Sequence, residues 1–118
     1  MNGTFCHWEI MTKDIKKSEK FYTSLFGWKI AHSMGPDYGL VDTGQQPGGG
    51  IMKWDDFTPG GGVMFYFLVD DCAKFLDKAV SLGGTKIREK TEIPQVGWFS
   101  LFGDPDGNCI GLFESLKK

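Results

Sequence analysis

Two stretches decide the fold: DIKKSEKFYTSLFGWKI, residues 14–30, and DCAKFLDKAVSLGGTKI, residues 71–87. Laid one on the other, Asp14 meets Asp71, an offset of 57, and Lys17 meets Lys74. At the same offset Ser24, Leu25, Gly27, Lys29 and Ile30 meet Ser81, Leu82, Gly84, Lys86 and Ile87. Each stretch reads as a helix that opens on an aspartate and stops at a glycine. In the first, Ile15, Phe21, Tyr22, Leu25 and Phe26 make a helical apolar face.

Working outward, the elements around each helix repeat as well. FCHWEIMT precedes the first helix as a strand, and WKIAHS, YGLVD and GIMKW follow it as three short strands. VMFYFLVD precedes the second helix, and TKIREK, GWFSLFG and NCIGLFE follow it. The last two strands of each half align at an offset of 61, which pairs Leu40 with Leu101 and Gly50 with Gly111. This is an α+β duplication of two tandem strand–helix–three-strand modules, about 4–54 and 63–115, in one domain over 1–118 with a linker at about 55–62. Neither module can bury its sheet alone, so the expected arrangement is a curled, partly closed sheet around a cleft. Alternation then puts Trp8, Ile10, Phe65 and Phe67 against the helices, and His7, Glu9, Met64 and Tyr66 in the cleft.

Composition narrows the function. The 118 residues carry a formal net charge of -2 with no block of like charge, so no nucleic-acid partner is expected. No stretch approaches the ~20 apolar residues of a membrane span, and no export signal is seen, so the expectation is a cytoplasmic protein without a membrane partner. Three widely spaced cysteines, Cys6, Cys72 and Cys109, read as reduced buried thiols rather than a disulfide or zinc framework. Ten Phe and four Trp suit a filled core or an aromatic-lined pocket.

The duplication, with FYTSLFGW in the first half and DPDGNCIGLFE at the end, resembles the vicinal oxygen chelate superfamily. That group includes glyoxalase I, extradiol dioxygenases, methylmalonyl-CoA epimerase and the bleomycin-resistance proteins. HWEIMT, GGGIM, YFLVDD and IPQVGWFSLFGDPDGNCIGLFE look closest to a glyoxalase-like branch without an assigned reaction. The resemblance implies the glyoxalase/bleomycin resistance/dioxygenase fold, a homodimer, and four ligand positions in the cleft of its metalloenzymes. His7 and Glu114 match the ligand type at two of them. The repeat maps the other two onto Met64 and Lys53, a soft thioether and a cation, which suit a catalytic divalent ion poorly. No cofactor is therefore expected, at most a weakly held divalent metal, with Glu114 facing Lys53 and Glu9 as a substitute ligand.

Function is read two ways. The first is a bleomycin-resistance-like protein binding a small organic molecule in an aromatic, mixed-charge cleft, with Tyr66, Lys53, Met64 and Trp98 as ligand-binding residues. The alternative is a lyase, isomerase or dioxygenase using His7, Glu9 and Glu114 as catalytic groups, with or without a metal. Histidine titrates near neutrality, so His7 suits a general base or simply fills a cleft wall. Glu9 and Tyr66 share a repeat position, either to bind a polar ligand or to satisfy one another. His32 is expected to face solvent. The glycines at 48–50 are no phosphate loop and let a strand bend or a ligand approach. Trp54, Phe57 and Trp98 are candidates for the cleft mouth.

Overall fold

A computed structural model describes residues 2–55 and 62–116. The expected linker at 55–62 and Phe57 fall largely or wholly outside them. The order is β1 (Thr4–Thr12), α1 (Ile15–Phe26), β2 (Lys29–Ala31), β3 (Tyr38–Asp42), β4 (Gly49–Lys53), β5 (Val63–Leu68), α2 (Cys72–Ser81), β6 (Thr85–Ile93), β7 (Gly97–Gly103) and β8 (Cys109–Ser115). The fold is α+β, with two helices and eight strands paired both parallel and antiparallel. Among the described residues no helix is long and apolar enough to cross a membrane.

The chain divides into two compact units, His7–Met64, and Phe65–Lys118 with Met1–Cys6. In the first, the strand neighbours run β2-β3-β4-β1, and β1 lies parallel to β4. In the second they run β5-β8-β7-β6, and β5 lies parallel to β8. The registers bear out the duplication. Glu9 pairs with Gly50 and Leu40 with Gly50; at the repeat positions Tyr66 pairs with Gly111 and Leu101 with Gly111.

Both helices start as the shared aspartates dictate. Asp14 accepts the Lys17 N–H and Asp71 the Lys74 N–H, each at 3.1 Å, which satisfies a first-turn donor. The ends differ. Gly27 closes α1 in the left-handed region at φ 72°, but α2 turns at Gly83, φ 106°, one residue before the aligned Gly84. Gly84 has another job, since a Cβ there would meet the backbone oxygens of Gly103 and Ala79.

The helix-facing assignment holds for β1. Trp8 lies 5.2 Å from Trp28, which stacks at 5.0 Å on Tyr22 of α1. The rest of the expected α1 face packs less: Phe21, Leu25 and Phe26 stay more than half exposed. Beneath α2, Val69, Cys72, Leu76 and Leu112 form a buried cluster joined by Phe75, Trp98 and Phe102. Phe65 stays outside this cluster, half-exposed and edge-on to Phe5 at 5.5 Å. Of the three free thiols only Cys72 is buried; Cys109 is exposed and Cys6 lies between. Partial desolvation of the sulfur raises the pKa of each of the three. The Asp-Pro-Asp-Gly stretch is a turn, in which Asp104 accepts the N–H groups of Asp106 and Asn108.

Candidate functional site

Strand alternation builds the site in the first unit. β1 puts Trp8 toward α1, so His7 and Glu9 stand on the opposite face. Parallel pairing in register gives Gly50 of β4 the same face as Glu9. Gly50 has no side chain, and Tyr38 of β3 fills the space: a Cβ on Gly50 would collide with the Tyr38 ring and hydroxyl. The phenol reaches across to donate to Glu9 Oε2 at 2.8 Å. Its oxygen also lies 2.8 Å from His7 Nε2. His7 Nε2 and Glu9 Oε2 are 3.6 Å apart, so the phenol is the bridge between them. Glu9 is 7% exposed, while the His7 side chain is partly open to solvent at 28%. The three form an imidazole–phenol–carboxylate chain with its imidazole end reachable from solvent.

Tyr38 is the residue that sequence reasoning missed. Its signal was there in part: YGLVD opens on a tyrosine, and the facing strand carries a bare glycine where a side chain would block it. The glycines at 48–50 admit side chains of the protein itself, Trp8 at Gly49 and Tyr38 at Gly50.

The other expected site residues go elsewhere. Lys53 follows Ile51 on β4 by two positions and shares its face, the one toward Ile10 and α1, so it does not stand beside His7. Glu114 is a correction of the same kind. It alternates with Leu112, which lies in the cluster under α2, so its carboxylate faces the helix. There Oε1 accepts the Cys72 N–H at 3.0 Å, in the first turn of α2, and lies 3.2 Å from Lys90 Nζ. Its charged partner is thus Lys90 of β6, not the expected Lys53. Burial first, and the Glu114 charge second, raise the neighbouring Cys72 thiol. Trp98 pairs in register with Glu114, packs partly buried against the same cluster, and carries Lys90 4.7 Å above its ring. Met64 and Tyr66 alternate together on β5 and are both buried, with Tyr66 lying over Gly111. Trp54 is 43% exposed.

A catalytic divalent ion needs about three hard protein donors. On the His7 face of the first unit Glu9 is a second one, and Tyr38 already spans the pair. Among the described residues no three His, Cys, Asp or Glu side chains come together. Lys53 and Glu114 face the helices. The donors described on this face do not make up the set that a resident divalent ion needs.

Two units of strand, helix and three strands, each with a glycine under a tyrosine ring, define a duplicated α+β fold with a polar relay on one strand face. The chain belongs to the Glyoxalase/Bleomycin resistance protein/Dioxygenase superfamily, whose family model matches residues 4–112. It is 26% identical over 123 residues to a glyoxylase-like domain-containing protein of Didymella fabae, covering 95% of this chain and 94% of that one. It is 32% identical over 116 residues to "Putative glyoxylase CFP32" of Mycobacterium bovis, covering 92% of this chain but 44% of the relative, so the chain spans less than half of that protein. The fold matches that of methylmalonyl-CoA epimerase from Mycobacterium tuberculosis, with a TM-score of 0.73 at 18% identity over 95% of this chain and 87% of that one.

Proposed function

We propose that this is a glyoxalase/bleomycin-resistance-like protein that binds a small organic molecule at the His7–Tyr38–Glu9 face, without a catalytic metal. The observation that carries the reading is the pair of 2.8 Å contacts that tie the phenol to both His7 and Glu9. A buried carboxylate fixes the phenol, the phenol orients the imidazole, and the exposed imidazole edge meets the ligand. Such a chain recognises a polar group, a carbonyl or hydroxyl, on an otherwise apolar molecule. The expected homodimer and cytoplasmic location belong to the same reading.

The enzymatic alternative keeps one specific support. A continuous imidazole–phenol–carboxylate chain can pass a proton to or from a bound molecule, as a lyase or isomerase requires. A thermal-shift screen against small carbonyl and hydroxy compounds, with divalent metals as a separate arm, tests both readings. A true ligand raises the melting point of the wild type. Tyr38→Phe, which keeps the ring over Gly50 and deletes the bridge, should weaken that ligand about tenfold, the value of one hydrogen bond in a polar site. A ligand bound equally by wild type and Tyr38→Phe would remove the site from this face.

A further inference from the structure

His32 is exposed, as expected, and its ring is also held by hydrogen bonds. It lies just beyond β2, in the turn that leads to Tyr38. Its Nε2 is 3.0 Å and 2.9 Å from the two carboxylate oxygens of Glu19 on α1, and its Nδ1 is 3.2 Å from the Gly35 carbonyl oxygen. Both ring nitrogens thus face acceptors. A neutral imidazole has one N–H and would set a lone pair against one of them; only the imidazolium donates to both. Glu19 adds a second argument. Its Oε2 is buried and takes no hydrogen bond among the described residues, so a charge close by must compensate it. Glu19 lies against Gly39, where a Cβ would collide with it. The helix is therefore fastened to the β2–β3 hairpin at His32 and at Gly39, on either side of Tyr38.

We propose that His32, as the imidazolium, is a positioning residue for the candidate site: it latches the turn before β3 onto α1 and so holds the Tyr38 phenol on Glu9 and His7. The inference rests on the proposed site, and its test reads the site without any ligand. The groups facing His32 are Glu19 from α1 and the Gly35 and Tyr38 backbone from the turn and β3; Glu19 is the charged one among them. The hydrogen bond to Glu19 chiefly, then that to Gly35, raises the His32 pKa above the usual 6.5. A raised histidine pKa makes the latch complete below 6.5 and loosens it as pH climbs through the raised value.

The chain holds two histidines, His7 and His32, so their ring signals can be followed separately by NMR. In the wild type, the His7 and Tyr38 ring signals should show an inflection at the pH where His32 titrates. In His32→Gln that inflection should vanish, leaving both rings at their high-pH wild-type positions. His32→Arg, which keeps a cation with several donors, should hold the low-pH positions throughout. Glu19→Gln should bring the His32 titration, and the inflection with it, down toward the usual range. Flat His7 and Tyr38 signals through the wild-type His32 titration overturn the latch, as does an inflection that survives in His32→Gln. Coupled rings in a protein for which the ligand screen finds no binder leave the latch standing and bring down the binding function instead.

Discussion

Glu9 and Glu114 are both buried carboxylates on strands, 7% and 3% exposed, and they serve different ends. Glu9 stands on the face of its strand away from α1 and accepts from a side-chain phenol that continues to a solvent-reachable imidazole. Glu114 stands on the face toward α2, where it meets a first-turn helix N–H and a lysine. A carboxylate on a helix N-terminus is an anchor: the fixed dipole and N–H hold its charge and leave little for a ligand. A carboxylate joined through a phenol to an imidazole is a relay. One strand position's parity separates the two roles.

The sharpest way to break the comparison is to delete the anchor. Glu114→Ala leaves the Cys72 N–H buried without its acceptor and Lys90 without its carboxylate. The charged hydrogen bond sets the scale, about 2–3 kcal/mol of stability. Lys90, at 36% side-chain exposure, keeps access to water, so the ion pair itself adds little. Urea unfolding should show the loss, while the His7 ring signal stays in place. An equal loss on Glu9→Gln, with Glu114→Ala silent, would exchange the two roles.

The repeat was legible because it rests on identities that have structural causes. Asp14 and Asp71 cap, and Gly50 and Gly111 each leave room for a tyrosine. The facing of β1 followed from its alternation alone. Glu114 was misjudged because the family's ligand type at the end of the last strand outweighed the alternation with Leu112, which placed it under the helix. Tyr38 escaped because a β3 side chain reaching across β4 to β1 is visible only once the register is known. His32 escaped for a like reason: its partner Glu19 is a helix residue 13 positions earlier, and nothing local links them.

The two glycines under tyrosine rings sharpen the comparison further. Gly50→Ala drives a methyl into Tyr38, and Gly111→Ala drives one into Tyr66. Overpacking of this kind costs about 1–3 kcal/mol in either unit. The consequence for the site differs. Gly50→Ala lifts the phenol off Glu9 and His7, so the His7 ring signal moves and ligand-induced stabilisation falls. Gly111→Ala should destabilise similarly and leave the His7 signal unmoved. A His7 shift of the same size in both variants would mean that the relay is not local to Tyr38.

The smallest expected effect belongs to Lys53→Glu. If position 53 stood beside His7, the change would remove a repelling cation and add a third hard donor to His7 and Glu9, and a divalent ion should bind. On β4, however, residue 53 shares the face of Ile51, which is fully buried, and pairs with Thr12 rather than with the strand positions of His7 or Glu9. The pleat sends its side chain to the other side of the strand from Gly50 and the relay. Lys53 is exposed, so reversing its charge there costs little stability. Calorimetric titration of Lys53→Glu with zinc or nickel should therefore give the same trace as the wild type. Tight binding gained by this single change would place the residue 53 side chain on the His7 face, and the separation of relay from helix face in the first unit would have to be redrawn.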